Sequence, residues 1–202
     1  GVSFGCLGDE EQCTGDPARR LGNEYLFQEQ AKSLIEVMHA KGVRRIITNC
    51  PHCFNTMANE YPDFAGKFEV IHHTTFLSKL LKDGALIPKQ DLPLAITYHD
   101  PCYLGRHNGN YDSPRDIVDA LPGGARVEMP RNRDNGFCCG AGGGHMWVEE
   151  SKGKRINVAR TEEAVATGAQ VIATACPFCI QMFEDGIPTV QSDDTKRMKT
   201  FD

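Results

Sequence analysis

Five cysteines drawn from three distant points constrain this fold more than any other feature: Cys102, the adjacent pair Cys138-Cys139, and Cys176-Pro177-Phe178-Cys179. Thirty-five residues lie between Cys102 and Cys138 and thirty-six between Cys139 and Cys176, so no local structure can gather these sulfurs. Only a folded domain can. The chain holds nine cysteines, an odd number, in 202 residues. With CxxC spacings in a chain this long, that usage points to metal or redox chemistry in a reducing compartment rather than to a secreted disulfide framework.

The bulk properties exclude other classes. A net charge of -5 gives no basic footprint for nucleic acid. No run of eighteen apolar residues is present and no secretory signal opens at Gly1, so the chain is expected to contain no membrane span. It begins without Met and ends at Met198-Lys199-Thr200-Phe201-Asp202, which reads as a piece of a larger or processed protein.

Displacing the sequence by 126 residues places Cys13 on Cys139, Cys50 on Cys176, Pro51 on Pro177, Cys53 on Cys179, Gly42 on Gly168 and Thr48 on Thr174. The chain therefore reads as two related halves, 1–90 and 91–202. In that register Gln12 occupies the place of Cys138, and the counterpart of Cys102 falls before Gly1. The first half is expected to be truncated and altered, the second complete.

Each half carries one coarse pattern. Ala31, Leu34, Ile35 and Met38 follow a helical period between Leu21 and Lys41, with Gly42 at the C-terminus. Val43 to Thr48 is a β-branched run ending at Cys50, and Pro51 suits the first turn of a helix reaching about Asn59. The second half repeats this with a helix from Met146 to Thr167, a strand Val171–Thr174 and a helix opening at Cys176. Between them, strands are predicted over Phe68–Ile71, Leu94–Tyr98 and Arg126–Met129, and helices over Thr75–Leu81 and Ile117–Leu121. The fold class is α/β: two pseudo-repeated halves, each a mainly parallel sheet flanked by helices, with cysteine loops at the carboxyl ends of strands.

The chemistry of the loops follows from the residue types. Thiolates are soft ligands that suit iron–sulfur clusters and zinc, and a CxxC at a helix start adds free backbone N–H groups and a positive dipole end. A structural zinc site closes at four ligands, whereas the second half brings five thiols. An adjacent pair fits a multi-iron cluster, because its two sulfurs can serve different irons. Gly140, first of the run Gly140-Ala141-Gly142-Gly143-Gly144, lets the backbone approach sulfur closely, while a dinucleotide-loop reading fails because His145 stands where the third glycine belongs.

Other residues carry competing readings. Arg19 and Arg20 suit a solvated helix start or compensation of a nearby cluster's charge. His52 and His99 are placed as hydrogen-bond donors behind the ligands, His39 as a packing or exposed residue, and His72-His73 as structural or proton-donating. Cys6 is expected to be a free buried thiol, and Trp147 to pack the following helix onto the sheet. No catalytic residue is assigned.

The spacing of Cys102, Cys138, Cys139, Cys176 and Cys179 resembles the cysteine-rich CCG domain of heterodisulfide reductase-related iron–sulfur proteins. The likeness extends through Cys13-Thr14-Gly15-Asp16-Pro17, Cys50-Pro51-His52-Cys53, His99-Asp100-Pro101-Cys102-Tyr103-Leu104-Gly105-Arg106 and Phe137-Cys138-Cys139-Gly140. The resemblance implies the C-terminal part of a membrane-associated iron–sulfur reductase, with the electron-transfer flavoprotein:quinone type among its relatives. It implies a 4Fe-4S cluster, of the non-cubane kind, on the five cysteines of the second half. It also implies a four-ligand 4Fe-4S cluster at Cys13, Cys50 and Cys53 once an upstream ligand is added. Partners would be a ferredoxin-like module or flavoprotein and a quinone or disulfide acceptor, at the cytoplasmic face of a membrane. The alternatives are a zinc-binding assembly module and, last, cluster-free thiol–disulfide exchange through one CxxC.

Overall fold

The computed structural model describes residues 1–202 apart from 149, 194 and 196. Two parallel sheets organise it. The first pairs β1 (Arg45–Thr48) with β2 (Glu69–His72), and the second has the order β4 (Ala125–Val127), β3 (Ala95–His99), β5 (Val171–Thr174), β6 (Lys199–Phe201). All pairs are parallel, as crossover helices require. β1 and β5 are repeats of one another: Arg45 pairs with Glu69 where Val171 pairs with Lys199. Among the described residues β1 has only β2 as neighbour, whereas β5 lies between β3 and β6.

The helices are α1 (Asp16–Arg20), α2 (Glu24–Ala40), α3 (Pro51–Asn55), α4 (His73–Lys82), α5 (Asp112–Asp119), α6 (Ile156–Val165) and α7 (Pro177–Val190). The 3.6-residue period explains α2, which Asn23 caps through a hydrogen bond from Leu26 N–H and which buries Phe27, Ala31, Leu34, Ile35 and Met38. That face forms the first core with Met57 and Tyr61. The second core lies under α7, where Cys179, Met182, Phe183 and Ile187 meet Ile172, Ala164 and Met129. The cysteine loops thus sit on the rims of two packed cores.

The predicted helix from Met146 to Thr167 is not continuous. A 3-10 stretch covers Gly142–Trp147, and α6 starts only at Ile156. Gly143 and Gly144 adopt φ of 65° and 78°, outside the helical region, and Gly153 is left-handed as well. Residue 149 of that predicted helix lies outside the described residues. The segments α1 and β6 do not show in the sequence pattern, being short and, in β6, flanked by charges.

Helix α6 packs on α7 through Gly186. A Cβ there would lie 2.4 Å from Thr161 Oγ1 and 3.2 Å from the Asn157 carbonyl, and Thr161 is itself bonded to that carbonyl at 2.8 Å. Gly186→Val would recover about 0.5 kcal/mol of helix propensity but overpack the contact by about 1–3 kcal/mol. The expected outcome is a lowered denaturant midpoint; an unchanged or raised midpoint would show that the helices separate freely.

Candidate metal centre

The second sheet delivers all five cysteines of the second half to one place. β3 runs into His99, Asp100, Pro101 and Cys102, and β5 runs into Cys176, so both approach from strand carboxyl ends. Cys176 is the N-cap residue of α7, extended at φ -160°, with Pro177 in the first turn where no N–H is needed. Cys139, Cys176 and Cys179 are buried, Cys102 is half-buried and Cys138 exposed. A cavity of about 220 Å³ opens beside Cys102, Cys138 and Cys139, also lined by His99, Arg106 and Arg133.

The five thiols oppose one another electrically. Hydrogen bonds from Cys138 and Cys179, against the effect of burial and with help from His99, hold the Cys139 thiol well below its ordinary range. The bond from Cys179, again against burial and aided by His52, brings Cys176 down to about 6. The cost falls on their neighbours: Cys179 is raised by Cys139 and Cys176, Cys138 by Cys139, and Cys102 by burial and the charges of Cys139 and Cys176, to about 11. Like charges this close cannot all ionise without a cation among them. A soft, multi-cationic metal core fits this donor set.

Backbone and buried ions frame the site. Gly140, at φ +100°, donates its N–H to Cys138 Sγ at 3.2 Å, a conformation that strains any residue with a Cβ. Arg115 grips Asp100 with two bonds of 2.7 and 2.9 Å and Glu128 with bonds of 2.8 and 3.0 Å. Asp100 also accepts the Arg133 N–H at 2.7 Å, tying the loop before Cys102 to the loop before Cys138. Neither Arg115 nor Arg160, which bonds to His99, stands out in the sequence; Asp100, between His99 and Pro101, was the available signal.

The first site corrects the register between the halves. Gly15 N–H donates to Cys13 Sγ at 3.4 Å with Gly15 at φ +86°, the same device as Gly140 on Cys138. The Thr14 hydroxyl lies 3.5 Å from Cys53 Sγ, as Cys139 bonds to Cys179, the cysteine equivalent to Cys53. Cys13-Thr14-Gly15 therefore corresponds to Cys138-Cys139-Gly140, with Thr14 in the place of Cys139. Gln12 does not replace Cys138; it is exposed and accepts from the Ser33 hydroxyl at 2.9 Å. The loop from Cys13 to Cys50 is one residue shorter than that from Cys138 to Cys176, which a single fixed displacement of the sequence cannot register. Cys50 and Cys53 are hydrogen-bonded to each other, and Cys50 together with burial raises the Cys53 thiol.

The halves meet at the sites. His52 Nδ1 lies 2.9 Å from the buried Asp16 carboxylate, and the ring also bonds to Cys176 of the other half. Burial would depress its pKa, but Asp16 and Cys176 outweigh burial and push it up to about 9. The Tyr103 ring lies tilted against it at 4.1 Å between centroids, and Phe178, the residue equivalent to His52, meets it edge-on at 4.8 Å. Asp16 accepts from Arg20 at 2.9 Å, while Arg19 and Arg20 both bind Glu60, so this arginine pair is a structural clamp.

The remaining candidates separate from the chemistry. Cys6 is exposed rather than buried. Trp147 is 56% exposed and meets the ring of Phe178 edge-on at 6.0 Å, because the broken helix does not lay it on the sheet. His39 contacts Phe68 at 5.3 Å, and His72 caps α4 through the Thr74 N–H.

The family model of the cysteine-rich domain, CCG, matches residues 1–58 and 96–184. The chain belongs to the CCG cysteine-rich family. Both matched stretches of this CCG chain end beyond a CxxC helix start, in keeping with the repeat seen in β1 and β5. It is 51% identical over its full length to the "Probable iron-sulfur-binding oxidoreductase FadF" of Bacillus subtilis, of which it covers 28%. It is 46% identical over its full length to the "EtfAB:quinone oxidoreductase" of Syntrophomonas wolfei, covering 29%. To one polypeptide of the dihydromethanophenazine:CoB–CoM heterodisulfide reductase of Methanosarcina barkeri it is 35% identical over 96% of its length, covering 49% of that polypeptide. The CCG chain thus spans between about a quarter and a half of these relatives. Among the described residues no helix is long and apolar enough to cross a membrane.

Proposed function

We propose that Cys102, Cys138, Cys139, Cys176 and Cys179 hold one 4Fe-4S cluster of the non-cubane kind, with the Gly140 N–H beside it. The chain is an iron–sulfur redox domain of an oxidoreductase. The observation that carries this reading is the convergence of five mutually opposed thiols, one more than a zinc cage uses. Such a cluster, when bound, supplies a reversible electron store. The chain's residues do the rest. Cys139 and Cys176 sit where the thiolate is favoured, the Arg115–Asp100 pair fixes the approach of Cys102, and Met182 and Phe183 wall the buried side from water.

At the first site, Cys13, Cys50 and Cys53 are three ligands for a second, four-ligand 4Fe-4S cluster completed by the full-length protein. Thr14 in the position of Cys139 supports four ligands there rather than five. The halves divide as 1–90 and 91–202. Electrons arrive from a ferredoxin-like module or a flavoprotein and pass to a quinone or disulfide acceptor, in a larger protein at the cytoplasmic face of a membrane. The names of the relatives from Syntrophomonas wolfei and Methanosarcina barkeri, which carry a quinone and a heterodisulfide, support that choice of acceptors.

Anaerobically purified chain is expected to be brown, with iron and acid-labile sulfide in equal amounts. A colourless protein carrying stoichiometric zinc would overturn the reading in favour of a structural module.

A further inference from the structure

His99 closes β3 three residues before Cys102 and is 1% exposed, its ring edge-on to Phe183 at 5.0 Å. Arg160, which is 0% exposed, donates from Nε to His99 Nδ1 at 3.1 Å. Its guanidinium is held in place by bonds to Glu163 at 2.7 Å and to the Arg131 carbonyl at 3.0 Å. A guanidinium only donates, so Nδ1 must present a lone pair and the ring proton must sit on Nε2. A ring nitrogen of His99, Cys139 Sγ and Cys179 Sγ all lie within 4.8 Å of one another, and the His99 ring is hydrogen-bonded to Cys139; with Nδ1 taken by Arg160, the nitrogen left for sulfur is Nε2.

We infer that His99, locked as the Nε2–H tautomer by Arg160, donates a hydrogen bond to the Cys139 thiolate and raises the reduction potential of the second-site centre. It is a positioning residue rather than a ligand. Ligation through Nε2 would need a lone pair there and a proton on Nδ1, directly against the Arg160 Nε–H. A donor at a ligand sulfur withdraws charge from the centre and favours the reduced, more negative state. Burial of both partners keeps water from substituting for the bond.

The inference rests on the cluster reading above, and iron and sulfide content separates the two: a chain without iron refutes that reading, whereas an iron-loaded chain with unaltered potential refutes only this one. The experiment is a redox titration followed by electron paramagnetic resonance on the cluster-loaded chain, with 15N-histidine for hyperfine spectroscopy. His99→Phe, which keeps the ring volume against Phe183, is expected to lower the midpoint potential and abolish one weakly coupled 15N signal. His99→Gln places an amide N–H near the former Nε2–H and should restore most of the potential. Arg160→Met leaves His99 intact but unlocks its tautomer, so it should shift the potential in the same direction even if His99→Phe loads poorly. A strongly coupled, directly ligating nitrogen, or potentials unmoved in both His99→Phe and Arg160→Met, would overturn the assignment.

Discussion

Cys139→Ser is expected to remove the iron from the second site while Gln12→Ala leaves it in place. Cys139 is 4% exposed and is the hub of the thiol network, bonded to Cys138, Cys179 and His99. A serine there offers a hard oxygen that does not ionise near neutral pH, in place of the thiolate the surroundings favour most. Cys139 is also the first cause of the raised pKa values of Cys138 and Cys179, so in the variant both thiols ionise more readily, but the site is left one buried soft ligand short. The effect should be the loss of most second-site iron and sulfide, read by metal analysis after gel filtration. Gln12, exposed and bonded to Ser33, touches none of this. Equal retention by the two variants would contradict the assignment of the Cys138-Cys139 pair.

The largest expected effect on stability comes from Arg115→Met. The side chain is 3% exposed, and its removal strands the buried Asp100 carboxylate, whose remaining bond is to the Arg133 N–H. Breaking one partner out of a buried pair costs about 3–5 kcal/mol, because the other is left as an uncompensated charge. Lys82→Ala offers the contrast: its pair with Asp116 is formed by a side chain 66% exposed, and such pairs contribute about 0–1 kcal/mol. Chemical denaturation of the two variants should separate them by several kcal/mol. Similar midpoints would mean that Asp100 finds water or another partner when Arg115 is gone.

Much of this was legible in the sequence, for definite reasons. Strands before Cys50, Cys102 and Cys176 announce themselves through β-branched runs, and α2 through its strict period, because both depend on local burial pattern. The parallel α/β class follows from their alternation. What was not legible depends on chain length or distant partners. One residue fewer between Cys13 and Cys50 shifted the comparison of the halves, so Thr14 was hidden behind Gln12. The glycines at 143 and 144 broke a helix that apolar spacing alone predicted. Arg115, Arg160 and Asp16 read as ordinary charges until folding buried each against a partner far along the chain.

In the proposed assignment the five cysteines of the second half hold a complete cluster without any ligand from the first. The most direct test removes the first site by Cys13→Ser, Cys50→Ser and Cys53→Ser together, loads the chain with 57Fe, and records the Mössbauer spectrum. The expected spectrum contains the iron of one 4Fe-4S cluster, all in sulfur coordination and matched by sulfide. A spectrum without cluster iron, or one showing only a single mononuclear site, would contradict it.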